Sequence, residues 1–151
     1  MDREEVRAYV NQYCILRDIQ YAAYELHARK HNLTSKELFV LDIIWFAEDG
    51  CLQSEICERL TATKQTVSAI IKKFWKLGYL SLTEAENDRR NKIVRFTDAG
   101  REYAKKIIPP AASAENAAMA ELEEKDIVEM IRITTIFSNY MKQKFSEIKE
   151  G

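Results

Sequence analysis

The sequence predicts a mostly helical fold carrying one small β-hairpin, and three observations support that class. Apolar residues recur at three- and four-residue steps over most of the chain. Glycine and proline number only 4 and 2, so few points interrupt a helical pattern. Two short runs of strand character, Tyr79-Leu80-Ser81-Leu82-Thr83 and Lys92-Ile93-Val94-Arg95-Phe96, flank a polar stretch from Glu84 to Asn91. At 151 residues the chain can bury one core and is too short for two ordinary domains.

The elements follow in order. A long first helix is expected over about Glu4 to His31. Val6, Val10, Tyr13, Cys14, Arg17, Tyr21, Tyr24 and Ala28 give it one largely apolar face, which has no partner nearby in sequence. Thr34-Ser35-Lys36-Glu37 is a capping box that starts a second helix, Leu38 to Ala47, stopped by Asp49-Gly50. A short helix from about Gln53 to Leu60 buries Ile56 and Leu60. After the turn Thr61-Ala62-Thr63, Thr63 caps a fourth helix, Lys64 to Leu77, which Gly78 ends in the left-handed conformation. Val67, Ile70, Ile71, Phe74 and Leu77 line one face of that helix, and Gln65, Ser68, Ala69, Lys72 and Lys76 fall mostly on the other. The two strand runs follow, with Glu84 to Asn91 as the hairpin tip. Thr97 caps a fifth helix that Pro109-Pro110 interrupts or bends. Helical pattern resumes through residues 111–120. A last helix from about Glu124 carries a face too broad for a lone surface helix: Ile127, Met130, Ile131, Ile133, Thr134, Ile136, Phe137, Tyr140, Met141 and Phe145.

Two helices joined by a tight turn, then a hairpin, form the organisation of a winged helix-turn-helix. The expected layout is an N-terminal dimerisation helix over 1–32, a DNA-reading lobe over 33–100 and C-terminal dimerisation helices over 101–151, integrated as one domain.

Charge points the same way. Residues 61–106 hold 11 Lys or Arg against 5 Asp or Glu, although the whole chain has a net charge of −1. Positive charge is therefore concentrated where the reading helix and hairpin fall, as a duplex-binding surface requires. An α-helix fits the major groove, and the groove-facing candidates are Thr63, Lys64, Gln65, Thr66, Ser68, Ala69 and Lys72. Gln65 suits adenine, Thr66 or Ala69 suits a thymine methyl, and Lys72 and Lys73 suit phosphates. On the hairpin, Arg89 suits a phosphate, with Arg90 and Lys92 adding positive charge beside it.

Asp88, Arg90, Phe96-Thr97 and Gly100, together with the helix Thr66-Val67-Ser68-Ala69-Ile70-Ile71-Lys72-Lys73-Phe74, resemble the MarR (multiple antibiotic resistance regulator) family of bacterial transcription factors. The resemblance runs from about Leu33 to Gly100. It implies a homodimer on a pseudo-palindromic double-stranded operator, with Arg90 in the minor groove and Asp88 holding its guanidinium in a bidentate ion pair. It also implies a small aromatic effector in a cleft lined by Tyr13, Tyr21, Tyr24, Trp45 and Phe46, although ordinary core packing explains any one of these rings. The family often carries Arg where this chain has Ala69, which points to an A·T-richer half-site here. It commonly has Ala or Ser where this chain has Asn91.

Cys14 has two readings. One is an inert buried thiol. The other, implied by the peroxide-sensing branch of the family, is an oxidisable thiol among tyrosines, although Cys14 lies closer to Leu33-Thr34 than that branch's cysteine does to the equivalent point. His27 and His31 have metal-ligand spacing with Glu25 near, but the chain has no further histidine, and Cys51 and Cys57 match no zinc spacing, so no metal or other cofactor is expected. Three cysteines without a pairing pattern, an acidic polar N-terminus and no long apolar run predict a cytoplasmic protein with reduced thiols and no membrane partner. No phosphate-binding glycine loop, nucleophile elbow or metalloprotease motif is present, so no enzyme is expected. The favoured function is a ligand-responsive repressor. The alternatives are a winged-helix module that binds protein without specific DNA recognition, and a cysteine-based redox regulator.

Overall fold

The computed structural model describes residues 1–149; residues 150 and 151, the end of the expected 101–151 segment, lie outside the described residues. The chain divides into two compact units, Met1–Ala111 and the part beginning at Ala112. The first helix, the winged segment and the fifth helix thus share one unit, and the division falls later than the expected 100/101 boundary.

In the first unit, α1 (Arg3–Lys30) begins with a capping box not expected from the sequence. The Asp2 carboxylate accepts from the Glu4 and Glu5 amides, and the Glu5 carboxylate accepts from the Asp2 amide at 2.8 Å. Ala28 is its one buried residue; on the face expected to be apolar, Val10, Cys14 and Tyr24 are half-buried and Val6, Tyr13, Arg17 and Tyr21 are exposed in the single chain. The expected second box is present. Thr34 Oγ1 accepts from the Glu37 amide at 3.1 Å, the Glu37 carboxylate accepts from the Thr34 amide at 3.0 Å, and α2 (Ser35–Phe46) follows. Leu38, Val40, Leu41, Ile43 and Ile44 are all buried, because α2 is apolar all round and runs through the core.

A two-residue strand, β1 (Cys51–Leu52), precedes α3 (Gln53–Leu60), which buries Ile56 fully and Leu60 in part. Thr61 turns the chain at φ 47°, and α4 (Lys64–Lys76) packs Val67, Ile71 and Phe74 inward. Leu77, expected on that face, is 55% exposed, because it lies at the helix C-cap and not in its last buried turn. Gly78 follows at φ 79°, as expected of a residue that reverses the chain after a helix.

Strands β2 (Leu80–Ala85) and β3 (Asp88–Phe96) pair antiparallel, and β1 pairs on the other side of β3, giving the order β1-β3-β2. The ladder extends further than expected. The tip is Glu86-Asn87, and Asp88 to Asn91 belong to the second strand. Cross-strand pairing runs regularly from Leu80↔Phe96 to Glu84↔Lys92 and then jumps to Ala85↔Asp88. Arg89, Arg90 and Asn91 therefore bulge from the ladder without a cross-strand partner in register.

Helix α5 (Asp98–Lys105) is capped by Thr97, whose hydroxyl accepts from the Gly100 amide at 3.0 Å and donates to the Gly78 carbonyl at 2.6 Å. Gly100 is required by close approach: a Cβ there would lie 1.8 Å from the Tyr79 carbonyl oxygen. The chain breaks at Lys106-Ile107, and α6 (Ile108–Ala120) starts with Pro109 and Pro110 in its first turn, where missing amides cost no intrahelical bond. The expected interruption thus precedes the prolines. His27 Nε2 lies 2.8 Å from the Ile107 carbonyl, so that nitrogen carries the proton and the end of α1 is bonded to the α5–α6 turn. Leu41, Ile56, Phe74, Leu80, Val94 and Ile107 form the centre of the core. Each fully buried side chain of this size contributes about 1.5–3 kcal/mol.

The second unit holds the later part of α6 and α7 (Glu124–Ser146). No residue of α7 is buried, and Val128, Ile131, Tyr140 and Phe145 are 62, 55, 60 and 63% exposed.

Candidate nucleic-acid interface

Helix α4 is oriented by its buried face and by two polar ties. Thr63 Oγ1 accepts from the Thr66 amide at 3.2 Å, and the two threonine hydroxyls lie 2.9 Å apart. Gln53 Nε2 donates to Ser68 Oγ at 2.5 Å, so the first turn of α3 holds the middle of α4. Lys64, Gln65, Ala69, Lys72 and Lys76 remain exposed. Gln65, Ala69, Lys72 and Lys76 recur at four- and three-residue steps and so share one face. Of the expected groove-facing groups, Ser68 is half-buried and bonded to α3, and the Thr66 hydroxyl is bonded to Thr63.

Lys73 serves a different purpose from the phosphate contact expected of it. Its ammonium forms an ion pair and hydrogen bond with Glu37, whose side chain is almost fully buried, and it sits 5.4 Å from the centre of the Phe74 ring. Burial pushes the Glu37 carboxyl upward. The Lys73 hydrogen bond and charge, with the bonds from Thr34, outweigh that and hold it below the ordinary carboxylate value. One carboxylate thus caps α2 and anchors α4. The sequence signals only the first role, because Lys73 is 36 positions away.

In the wing, Asp88 does not form the ion pair expected with Arg90. Its Oδ1 accepts from the Arg90 backbone amide at 2.9 Å. An aspartate side chain is short and readily bonds the amide two residues on, which fixes the backbone and leaves the guanidinium free of it. Arg90 is exposed. Arg89 is 89% exposed and only loosely paired with Glu84, at 3.8 Å. Lys92 lies 3.3 Å from the same carboxylate. Asn91, not expected to hold the wing, makes two bonds to α3: its Oδ1 accepts from the Ser54 amide at 3.3 Å and its Nδ2 donates to Ser54 Oγ at 3.0 Å. Arg95 is taken up by Asp49 at 3.2 Å and by Thr83 at 2.9 Å.

The other candidate residues are dispersed. Trp45 packs edge-on against Phe96 and under the Arg101 guanidinium, and Tyr24 packs against Phe39. Phe46, Tyr13 and Tyr21 are 60, 44 and 57% exposed. Cys14 and Cys57 are half-buried and Cys51 is buried; burial, then the Glu55 charge, pushes the Cys51 thiol up to about 11. Burial, with the charges of His27 and Lys30, lowers the His31 imidazole. Among the described residues no group of three or more His, Cys, Asp or Glu is placed to hold a metal ion, and no helix is long and apolar enough to cross a membrane.

A helix-turn-helix with an exposed polar-cationic stripe, followed by a β-wing with a bulged arginine pair, defines a winged helix-turn-helix protein. A sequence model of the MarR family matches residues 31–91, which span the second helix through the bulge. The HTH-type transcriptional regulator PapX of Escherichia coli is 27% identical over 119 residues, 78% of this chain and 70% of PapX. The structure of NMB1585, a MarR family regulator from Neisseria meningitidis, superposes with a TM-score of 0.73 at 23% identity, covering 99% of this chain and 100% of that one. The MepR–DNA complex from S. aureus superposes with a TM-score of 0.67 at 19% identity, over 84% of this chain and 97% of MepR. The molecule therefore has the fold of a MarR-family transcription regulator.

Proposed function

We propose that the protein is a sequence-specific transcription regulator that binds double-stranded DNA as a homodimer and represses until a small effector releases it. The observation that carries the reading is the pairing of the exposed Gln65–Ala69–Lys72 stripe with Arg90 on a bulge, both within the most cationic segment of the chain. The stripe suits base edges in a major groove, and an arginine held by its backbone but free at its guanidinium suits the adjacent minor groove. MepR, which shares the fold, has been seen on DNA.

The dimer follows from surface chemistry. Ile15, Leu16, Ile19 and Leu26 on α1 are 58–62% exposed, and Val128, Ile131, Tyr140 and Phe145 on α7 are 55–63% exposed. Monomers rarely tolerate such surface, and a second copy would cover it. Two reading helices related by a two-fold axis require pseudo-palindromic operators with half-sites about one turn, roughly 34 Å, apart. Tyr13, Tyr21 and Phe46 are exposed aromatic rings suited to a phenolic effector, which acts through its differential affinity for the DNA-matched and mismatched dimer geometries. The protein acts in the cytoplasm.

The test is a binding titration on operator and random DNA at two salt concentrations. Sequence-selective binding with a steep salt slope is expected. Arg90→Ala weakens binding by ~1–3 kcal/mol, and Gln65→Ala relaxes preference at one position of each half-site. Unchanged affinity in both variants removes this surface from consideration. Release of the preformed complex by salicylate-like phenols is expected; failure of every phenol rejects the effector assignment.

A further inference from the structure

We propose that Asn91 and Ser54 form a brace that positions the wing arginines relative to the reading helix, so that Asn91 sets how strongly the protein discriminates the DNA flanking each half-site. The inference rests on the DNA-binding reading above and adds a positioning residue to it. Its starting point is the register jump in the hairpin: Glu84 pairs with Lys92 and Ala85 with Asp88, so the three residues between them have no backbone partner in register on β2. In a bulge the ladder no longer sets the direction of the two arginines, so other contacts must set it. Three hydrogen bonds replace the missing ladder. Asp88 fixes the Arg90 amide at 2.9 Å, which orders the bulge internally but ties it to nothing outside the hairpin. Asn91 supplies the external tie, through both ends of its carboxamide, to the Ser54 amide and hydroxyl.

Ser54 is the residue next to Gln53, whose side chain holds Ser68 of α4 at 2.5 Å. The first turn of α3 therefore grips the wing with one residue and the reading helix with its neighbour. The path Arg90–Asn91–Ser54–Gln53–Ser68 links the two groove-facing elements over five residues, although the wing and α3 are 37 positions apart in sequence. A side-chain amide is suited to this task because it donates and accepts at once; alanine does neither.

The brace is tested on the full-length protein in two arms. In the DNA-free arm, ¹⁵N relaxation and amide exchange compare the parent with Asn91→Ala. The Ser54 amide should exchange faster in the variant, and the Arg89 and Arg90 amides should gain mobility, while core amides and the melting temperature stay unchanged. Wing amides as ordered in Asn91→Ala as in the parent would overturn the proposal whatever DNA does. In the DNA arm, affinities are measured for an operator with A·T-rich flanks and for the same half-sites with G·C flanks. Ser54→Ala should reduce the flank preference about 3- to 10-fold, the range for one lost hydrogen bond, and Asn91→Ala, which loses two, should reduce it at least as much. Ser54→Thr, which keeps the hydroxyl, should retain the preference, and discrimination within the half-site at the Gln65 contact should not change. In an Arg90→Ala background Asn91→Ala should have no further effect on flanks. Full additivity with Arg90→Ala, or an equal loss at flanks and half-site, would overturn the positioning role. A parent protein that prefers no sequence at all would instead overturn the DNA-binding reading, and the first arm separates the two.

Discussion

Replacing Gly100 with alanine is the sharpest test of how the winged segment is assembled. The added Cβ would lie 1.8 Å from the Tyr79 carbonyl oxygen, 2.6 Å from its carbon and 2.8 Å from the Tyr79 Cα. All three are backbone atoms, so no rotamer change relieves the overlap. Reaching even 3.0 Å from the oxygen requires a separation of 1.2 Å between α5 and the start of β2. Tyr79 resists it. Its carbonyl accepts from the Thr97 amide at 3.1 Å, its amide donates to the Phe74 carbonyl at 2.9 Å, and its ring stacks on Tyr103 at 4.4 Å between centroids. Overpacking of this kind costs about 1–3 kcal/mol, and a broken backbone hydrogen bond adds about 0.5–1.5 kcal/mol. A loss of about 3 kcal/mol corresponds to a fall of roughly 6–12 °C in melting temperature for a chain of this length. Gly78→Ala is the control, since its φ of 79° is strained for alanine but its Cβ would meet nothing within 4 Å. Strain alone costs about 1 kcal/mol, or roughly 2–4 °C. Circular-dichroism melts at one fixed protein concentration compare the two. A Gly100→Ala protein that melts with the parent, or above Gly78→Ala, would refute the packing described for this junction.

Four further outcomes are expected. Glu37 has a folded pKa below its ordinary 4.5, so its stabilisation is complete above that pH and is lost as pH falls through the lowered value. Urea midpoints of the parent should therefore drop below about pH 4.5 relative to Glu37→Gln, and parallel profiles for the two proteins would contradict this. Thr97→Val removes the α5 cap and the bond to Gly78, at a cost of about 1–2 kcal/mol in chemical denaturation; a change near zero would show that the cap contributes nothing. Cys51, with its thiol near 11, should be the slowest of the three cysteines to react with a maleimide at pH 8 in the native state, and should react freely only in denaturant; rapid labelling of the folded protein there would contradict its burial. Ile131→Glu should yield a monomer by light scattering at micromolar concentration and abolish operator binding with it, whereas a dimer in that variant would exclude α7 from the interface.

The parts of the fold legible in the sequence are those with local chemistry. Thr34, Thr63 and Thr97 cap helices at the expected positions because a cap involves residues two or three apart, and Gly78 reverses the chain because only its own backbone conformation matters. Strand β1 was invisible because two residues carry no alternation, and it exists only through its pairing with Ile93 and Val94. The hairpin tip was expected too long because Asp88 to Asn91 are polar, and polarity does not reveal that a strand continues through a bulge. The reading helix and the cationic wing were recognisable from residue types and order. Their fastening was not. Lys73 looked like a free cation until folding brought Glu37 to it, and Asn91 looked like a minor departure until Ser54 stood opposite. Long-range pairs of this kind leave no periodicity for a sequence to display.

The hydrogen bond between His27 and the Ile107 carbonyl brings together the two ends of the segment from residue 31 to residue 106. That segment contains α2 to α5 and the whole sheet, so its entry and exit points are neighbours. Chain ends that meet are the condition under which insertions and permutations are tolerated. The winged segment is in this sense an inset whose two ends meet at the histidine–carbonyl bond, while Tyr24 of α1 also packs on Phe39 inside it. A segment exchanged with joins on either side of that bond would therefore have to fit not only the bond but also the core surface that Ala28 and Ile108 present to it.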